Sequence, residues 1–225
     1  MIVPMFPLGS VFLPGDIVPL RIFEHRYVEM MQQMLAGQTE LDMSFASVLI
    51  ARGSEVGGED QRRQLGVVVH VEQCVATPEG GYGIVGLASD VVEIEEWLTD
   101  MPYPQAKITI RPDLTSAEGS AIDLQRRIKV AADAIDQMLQ EMYGPNTQSA
   151  ILGSNYLDVV ELERMIANSE SLNDALWFVA RHLPAGPDIR YDFLSCMTSN
   201  DLMAALESGI THTQEMLTFL QLETD

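Results

Sequence analysis

Short hydrophobic runs separated by turn residues make up the first half of the chain. Four of these runs are rich in β-branched residues: 43–51, 64–77, 81–98 and 105–113. In the last run three apolar and three polar residues alternate: Ala106, Ile108 and Ile110 with Lys107, Thr109 and Arg111. Such alternation predicts a strand with one buried and one wet face. Turn residues in 77–83 predict a hairpin between the second and third runs, so this half is predicted to be antiparallel β structure.

One stretch within this β region has the spacing of a helix. Its apolar residues recur on one side: Phe23, Tyr27, Met30, Met31 and Met34. Polar residues fill the other side, and Gly37 is a suitable helix end. The first two apolar side chains are expected to lie in the core. Upstream of this helix, Pro14 and Gly15 predict a tight turn, and Pro19 predicts an edge position or the start of a strand.

The second half has helical periodicity throughout. Six apolar residues step by three and four along its first segment: Leu124, Ile128, Ala131, Ile135, Met138 and Met142. Gly144 and Pro145 predict the end of that helix. Three more helices are predicted, at 171–183 with Ser171 as N-cap, at 188–197 and at 199–220. The sequence therefore predicts a β-rich subdomain at 1–115 and a helical subdomain at 116–225, with a hinge within 113–121.

The net charge narrows the range of partners. The chain of 225 residues has a formal charge of −20, and acidic residues are in excess in both halves. Nucleic-acid affinity comes largely from Lys and Arg that displace counterions, so nucleic acid is not expected as a partner. Anionic membrane surfaces are disfavoured for the same reason. No window approaches the roughly 20 apolar residues of a membrane helix.

The cysteines and the N-terminus predict a reducing compartment. Cys74 and Cys196 lie far apart in the sequence and have no metal-ligand spacing, which favours two free thiols over one long-range disulfide. Prolines interrupt every apolar run near the N-terminus, so no signal peptide is expected. A cytoplasmic location is the expectation that follows.

The sequence contains no recognisable motif of catalysis or cofactor binding. The two lysines, Lys107 and Lys129, lie outside any G-x-x-x-x-G-K-[ST] string, so no P-loop is present. Gly81, Gly83 and Gly86 form a G-x-G-x-x-G string, but it follows a turn and runs into a predicted strand. A dinucleotide site requires the string to follow a strand and open a helix. No cofactor is expected, and no G-x-S-x-G precedes a helix.

The titratable residues likewise predict no reactive centre. Four histidines stand isolated in the sequence: His25, His70, His182 and His212. No metal site is therefore expected. Glu95 and Glu96 are neighbours on a predicted strand, and adjacent strand residues point to opposite faces. They do not form the paired carboxylates of a general acid and base.

The stretch PLGSVFLPGDIVPLRIFEHRY, residues 7–27, resembles the signature of the amino-terminal substrate-binding domain of Lon (protease La). The resemblance rests on eleven positions: Pro7, Leu8, Pro14, Gly15, Pro19, Leu20, Ile22, Phe23, Glu24, Arg26 and Tyr27. His25 stands where the family usually has Pro. Further similarity follows in LIARGSEVGG (49–58), LGVVVHV (65–71), YGIVGLASDVVEI (82–94) and PYPQAKI (102–108). Ser89 and Asp90 replace the Arg-Phe common in the family.

The resemblance implies a fold and a function. The fold class is α+β: a PUA-like pseudo-barrel of antiparallel strands with one inserted helix, followed by an all-helical bundle. The implied function is non-catalytic binding of unfolded or apolar polypeptide segments, with a separate protease as a second candidate partner. The ATPase and peptidase modules of Lon are not recognisable in this sequence, which therefore looks like a stand-alone domain of that type.

Eight residues are the candidate contacts for polypeptide: Phe12, Leu13, Pro14, Glu24, Arg26, Met30, Met31 and Met34. The methionines qualify where they lie outside the core, since mobile Met side chains adapt to varied apolar partners. Their alternative role is core packing. Glu24 and Arg26 have an alternative role as a structural ion pair at the start of the helix.

Two other functions and one oligomeric state stay open at this point. A small hydrolase or peptidase with an unrecognised site would bring polar residues together in a cleft with strongly shifted pKa values. Nucleic-acid binding would need a basic stripe that unites Arg52, Arg62 and Arg63. Exposed strand edges would permit a weak homodimer.

Overall fold

A computed structural model describes residues 1–52, 61–115, 121–143, 157–167 and 172–224. The chain divides into two compact units, Met1–Pro112 and Asp113–Asp225. The predicted order, strands with one helix followed by helices, is confirmed. Several sequence predictions fall wholly or partly outside the described residues: the hinge at 113–121, the loop within 49–58, the helix end at Gly144 and Pro145, and the cap at Ser171.

The first unit contains six strands and one helix. Its elements are β1 Ile2–Leu8, β2 Ile17–Ile22, α1 His25–Leu35, β3 Ser44–Arg52, β4 Gln61–Ala76, β5 Tyr82–Trp97 and β6 Gln105–Ile110. The strand order is β2-β5-β4-β3-β1-β6, and β6 also pairs with β5. Five strands thereby close into a ring, and β2 lies outside it. The expected pseudo-barrel is confirmed with one difference, because β1 and β3 run parallel whereas the other pairings are antiparallel.

The length of β5 explains why β2 is left outside the ring. Residues 82–87 of β5 pair with β2, and residues 92–97 pair with β6 on the same edge of the strand. One strand therefore serves two neighbours in succession. The core that fills the ring comes from all five of its strands: Val3, Met5, Ala46, Val48, Val68, Val92, Ile94, Ala106 and Ile108.

Helix α1 covers the side of β1 that faces away from this core. Phe6 of β1 stacks on Tyr27 of α1 with ring centroids 4.1 Å apart, and it lies 5.6 Å from the ring of Phe45 in β3. Strand β1 is consequently buried on both faces from Val3 to Leu8. The helix ends as predicted at Gly37, whose φ of +67° is readily adopted only by glycine.

The second unit is helical in its described parts. Its elements are α2 Ala121–Tyr143, α3 Val159–Ala167, α4 Leu172–His182, α5 Pro187–Ser195 and α6 Ser199–Thr224. Helix α2 packs against α4 and α6, α3 packs against α4, and α5 packs against α6. Asn173 donates to the carbonyl of Leu114 and accepts from the Ser199 hydroxyl, both at 2.7 Å. The bond with Ser199 joins the first turns of α4 and α6, and the bond with Leu114 ties α4 to the segment before α2.

Candidate functional site

The apolar side of α1 and the side chain of Leu13 before β2 are buried, which corrects half of the candidate contacts. Leu13, Met30, Met31 and Met34 are each at most 1% exposed. A side chain without solvent exposure cannot touch a second polypeptide while the domain stays folded. The helical period that grouped the methionines reflects core packing, which was the alternative role for these residues.

Phe12 and Pro14 are half-buried beside a tight turn. Gly15 has a φ of +88°, and its N–H donates to the carbonyl of Ala88 at 2.8 Å. The Asp16 N–H donates to the Leu13 carbonyl at 3.0 Å. Pro at the second and Gly at the third position are the residues that a type II turn requires. The turn anchors the start of β2 against β5.

Glu24 and Arg26 form the ion pair that was the alternative to ligand binding. The Arg26 Nε–H donates to Glu24 at 3.2 Å, and both side chains are only about a fifth exposed. The guanidinium also lies over the Tyr27 ring, 4.6 Å from its centroid. The carbonyl of Glu24 accepts from the N–H groups of Tyr27 and Val28. This pair therefore holds the first turn of α1 in place.

Phe23 differs from its predicted place in the core, because it is 69% exposed. It precedes α1 and follows β2, so it continues the alternation of the strand instead of the period of the helix. In β2, Val18 and Ile22 are buried, whereas Ile17, Pro19 and Arg21 are exposed. Phe23 is next on the exposed side.

The strands beside β2 extend this exposed side into an apolar surface. Ile17 pairs with Leu87, Pro19 pairs with Val85, and Arg21 pairs with Gly83. Across β5, Gly83 pairs with Val75. Directly paired residues project to the same face of a sheet. Gln73 and His70 pair with Val85 and Leu87 and border this surface with polar side chains. We define the outer face as the other residues of these rows together with Phe23: Ile17, Pro19, Arg21, Phe23, Val75, Gly83, Val85 and Leu87.

Exposure of the apolar members makes the outer face unusual for a strand surface. Val75 is 66% exposed, and Ile17 and Leu87 are each more than 40% exposed. Gly83 carries no side chain between Arg21 and Val75, so it leaves a low point in the middle of the face. Contiguous exposed apolar surface of this kind marks sites where proteins bind other molecules.

Four carboxylates lie close to the outer face along the chain. They are Asp16, which directly precedes Ile17, Glu72 and Asp90, each three residues from an outer-face residue of its own strand, and Glu79 in the β4–β5 turn. The one cation of the outer face, Arg21, pairs with Glu79 at 3.6 Å. The local charge is therefore negative, in keeping with the charge of the whole chain.

A chain of hydrogen bonds runs through His70, which pairs with Leu87. Its Nδ1 lies 2.8 Å from the Ser44 hydroxyl, and its Nε2 lies 2.9 Å from the Ser89 hydroxyl. Each hydroxyl also lies within hydrogen-bond distance of a second acceptor, Ser44 of the Asp42 carbonyl and Ser89 of the Asp90 carboxylate. In a catalytic triad one ring nitrogen faces the nucleophilic serine and the other faces a carboxylate. Both ring nitrogens of His70 face serine hydroxyls, so this arrangement is not that of a Ser-His-Asp triad.

The basic stripe required for nucleic-acid binding lacks its middle member. Arg62 forms two hydrogen bonds with Asp100, at 2.6 and 3.2 Å, and its guanidinium lies 4.4 Å from the centroid of the Trp97 ring. Its side chain is only 9% exposed. Arg62 is thereby neutralised, and Arg52 and Arg63 remain as exposed arginines at one end of the β3–β4 pair.

The described residues contain few other groups of side chains that could form a metal, cofactor or catalytic site. No three His, Cys, Asp or Glu side chains there lie where they could hold a metal ion. Gly81, Gly83 and Gly86 belong to the β4–β5 hairpin and do not precede a helix. A cleft of about 210 Å³ between α2 and α6 has Glu141 as its one titratable lining residue.

No helix in the described part of the chain is long and apolar enough to span a membrane.

Comparison with known proteins decides the family. A model of the ATP-dependent protease La (LON) substrate-binding domain matches residues 2–210. The chain belongs to this family. Lon protease 1 of Herpetosiphon aurantiacus is 28% identical over 137 residues, which cover 60% of this chain and 17% of that protein. The chain thus spans less than a fifth of that relative.

Two solved structures of Lon-type domains share the fold. A crystal structure of a Lon N-terminal domain protein from Xanthomonas campestris superposes with a TM-score of 0.62 and 18% identity, over 92% of this chain and 98% of the other. The N-terminal domain of the Mycobacterium avium complex Lon protease superposes with a TM-score of 0.59 and 15% identity, over 94% and 98%. The predicted family and fold class are confirmed.

Sequence reasoning missed most of the outer face of this Lon-type domain. Ile17, Val75 and Leu87 lie in runs that are apolar at nearly every position, so alternation could not separate their exposed and buried members. Phe23 was assigned to the helical period of α1, whereas it continues the strand alternation of β2. Pro19 was the available signal, because a proline within a strand indicates an edge.

Proposed function

We propose that this chain is a polypeptide-recognition module and that the outer face is its contact surface. The observation that carries the proposal is the exposure of Phe23 directly after β2 and of Val75 in β4, within a domain family described by substrate binding. Apolar side chains of an unfolded protein would pack around these two residues. A folded protein rarely exposes contiguous apolar side chains, so the surface would select unfolded ones.

We further propose that the module serves proteolysis or protein quality control by holding substrates for a protease. Support comes from the relative named Lon protease 1, which shares similarity with 60% of this chain. Recognition of the substrate requires no chemistry at the surface. Both ring nitrogens of His70 contact serine hydroxyls, without the carboxylate that orients the histidine of a triad, and this supports a binding function over hydrolysis.

The test is titration of a fluorescently labelled, permanently unfolded protein, followed by anisotropy. The double variant Phe23→Ser/Val75→Ser should weaken binding by about tenfold or more, because each apolar side chain contributes about 1–2 kcal/mol when it is covered. Leu35→Ser is the matched control, since Leu35 is 52% exposed at the end of α1 and is not part of the outer face.

Two results would contradict the proposal. One is the absence of wild-type binding up to a concentration of about 100 μM, where even weak recognition is detectable. The other is an equal loss of binding in the double variant and in Leu35→Ser, which would indicate non-specific hydrophobic adhesion.

A further inference from the structure

Strand β2 has one side of its main chain without a strand partner. It stands at the end of the strand order and, among the described strands, pairs with β5 only. We propose that this free edge receives an extended segment of the substrate as an added antiparallel strand, and that the preferred segment alternates apolar and basic residues. The inference rests on the proposed function and states how the outer face would bind its substrate.

The direction of the main-chain groups of β2 follows from its contacts with β5. The carbonyl of Asp16 accepts from the Ala88 N–H at 2.9 Å, and the register from Ile17 to Ile22 is uninterrupted. Successive residues of a strand direct these groups to opposite edges. Even-numbered residues therefore face β5, and Ile17, Pro19 and Arg21 face the free edge.

The carbonyl of Ile22 gives independent support for this assignment. Its oxygen lies 2.2 Å from the position that a Cβ atom on Gly81 would take, and Gly81 directly precedes β5. The carbonyl of this even-numbered residue thus points toward β5. Consequently the free edge offers the N–H groups of Ile17 and Arg21, together with three carbonyls. Pro19 has no N–H to offer, which is the usual orientation of a proline in an edge strand.

Pro19 and the charge together favour a peptide over a second copy of the chain. In a twofold antiparallel pair centred on Pro19, both central residues would lack the N–H that the ladder needs. Each copy would also bring a formal charge of −20. An unrelated segment provides its own N–H opposite the Pro19 carbonyl, and basic residues are attracted by the field of the protein.

The side chains of the outer face determine the alternation that is expected in the segment. Residues opposite Ile17, Pro19 and Arg21 would project to the outer face and meet its apolar members, so they should be apolar. The intervening residues would project to the other face of the sheet. Basic residues there would keep the segment attractive to an acidic protein, whereas Glu in the same places would be repelled.

The experiment compares Arg21→Pro with Arg21→Ala. Both variants lose the same charge and the ion pair with Glu79, but only Arg21→Pro loses the N–H that faces the free edge. The probe is a fluorescein-labelled nonapeptide of alternating Leu and Lys, measured by anisotropy. Arg21→Pro should bind it about fivefold more weakly than Arg21→Ala, as expected for one lost main-chain hydrogen bond.

Methylation of the peptide main chain is the second measurement and needs no variant. N-methyl groups on the Leu residues would block the amides that face β2 and should weaken wild-type binding by about tenfold or more. N-methyl groups on the Lys residues face away and should leave binding within about twofold. If Arg21→Pro does not fold, this comparison decides. The Leu–Glu version of the peptide should bind more weakly than the Leu–Lys peptide.

Four results would overturn the inference. They are equal affinity of the two Arg21 variants when both are folded, equal effects of the two methylated peptides, tighter binding of the Leu–Glu peptide, and a wild-type dimer in sedimentation that Arg21→Pro dissociates. If the unfolded protein binds through the outer face but these results are obtained, strand addition fails while the proposed function stands. If neither ligand binds wild type, both fail.

Discussion

Phe6 and Phe23 are the same residue type in the same unit, but they occupy opposite environments. Phe6 is 8% exposed and lies against the rings of Tyr27 and Phe45, whereas Phe23 is 69% exposed. Replacement of each by alanine should therefore separate stability from binding. Phe6→Ala should destabilise the first unit, and Phe23→Ala should weaken substrate binding with little effect on folding.

The expected magnitudes follow from these environments. Removal of a buried Phe side chain costs about 3–5 kcal/mol, because the transfer free energy is lost and a cavity remains beside Tyr27. That is a large fraction of the 5–15 kcal/mol by which domains are commonly stable. Phe23→Ala should change the free energy of unfolding by less than about 0.5 kcal/mol, as is usual for exposed positions. Phe6→Leu keeps most of the volume and should cost about 1.5 kcal/mol.

Urea unfolding followed by tryptophan fluorescence measures these differences in the relevant unit. The chain has two tryptophans, and Trp97 lies in the first unit. In a Trp177→Phe background its fluorescence reports that unit. With a slope of about 2 kcal/mol per molar urea, Phe6→Ala should lower the midpoint by about 2 M. The reasoning is refuted if Phe23→Ala lowers the midpoint as much as Phe6→Leu, or if Phe6→Ala leaves it within 0.3 M (about 0.6 kcal/mol) of the parent.

Two further predictions concern other parts of the fold. Gly66→Ala should cost about 2–3 kcal/mol, because its Cβ would collide with the Ser47 carbonyl. Gly83→Ala should be nearly neutral, because its Cβ would lie in ordinary contact, 4.0 Å from the Val75 carbonyl oxygen, and thermal melts that shift equally in the two variants would contradict this. The hydrogen bonds from Arg127, at 2.9 and 2.8 Å, lower the pKa of Glu207. Their contribution to the free energy of unfolding is therefore fully present above the ordinary carboxylate pKa and is lost as the pH falls through the lowered pKa of the folded state. Wild type should exceed Glu207→Gln in stability by about 0.5–1 kcal/mol at pH 7 and by nothing at pH 2, and a constant difference across this range would rule out the charge interaction.

The elements of the fold were predictable because their signals are local. Alternation over 105–110 depends only on neighbouring residues, and Gly37 ends α1 through its own φ. The parallel pairing of β1 with β3 carries no comparable signal. This pairing depends on the path of the chain through β2 and α1. A strand that distant elements bury on both faces has the same apolar composition whether its neighbour runs parallel or antiparallel.

The outer face was harder to predict than the fold, since exposure of an apolar residue depends on what covers it. The methionines of α1 and Val75 of β4 are all apolar, and pattern alone favoured the methionines as contacts. The methionines lie in the core, whereas Val75 projects to solvent. Only Pro19 indicated the edge from sequence, through its missing N–H.

The location of the outer face can be understood as a consequence of strand pairing. Strand β5 is long enough to pair with β2 and then with β6, so the ring closes without β2. One helix, α1, lies over Phe6 of β1, on the other side of that strand from the ring interior. Strand β2 pairs only with β5 among the described strands and keeps the side chains of Ile17 and Phe23 exposed. The length of β5 therefore determines that this edge of β2 remains without a strand partner in the described part of the chain.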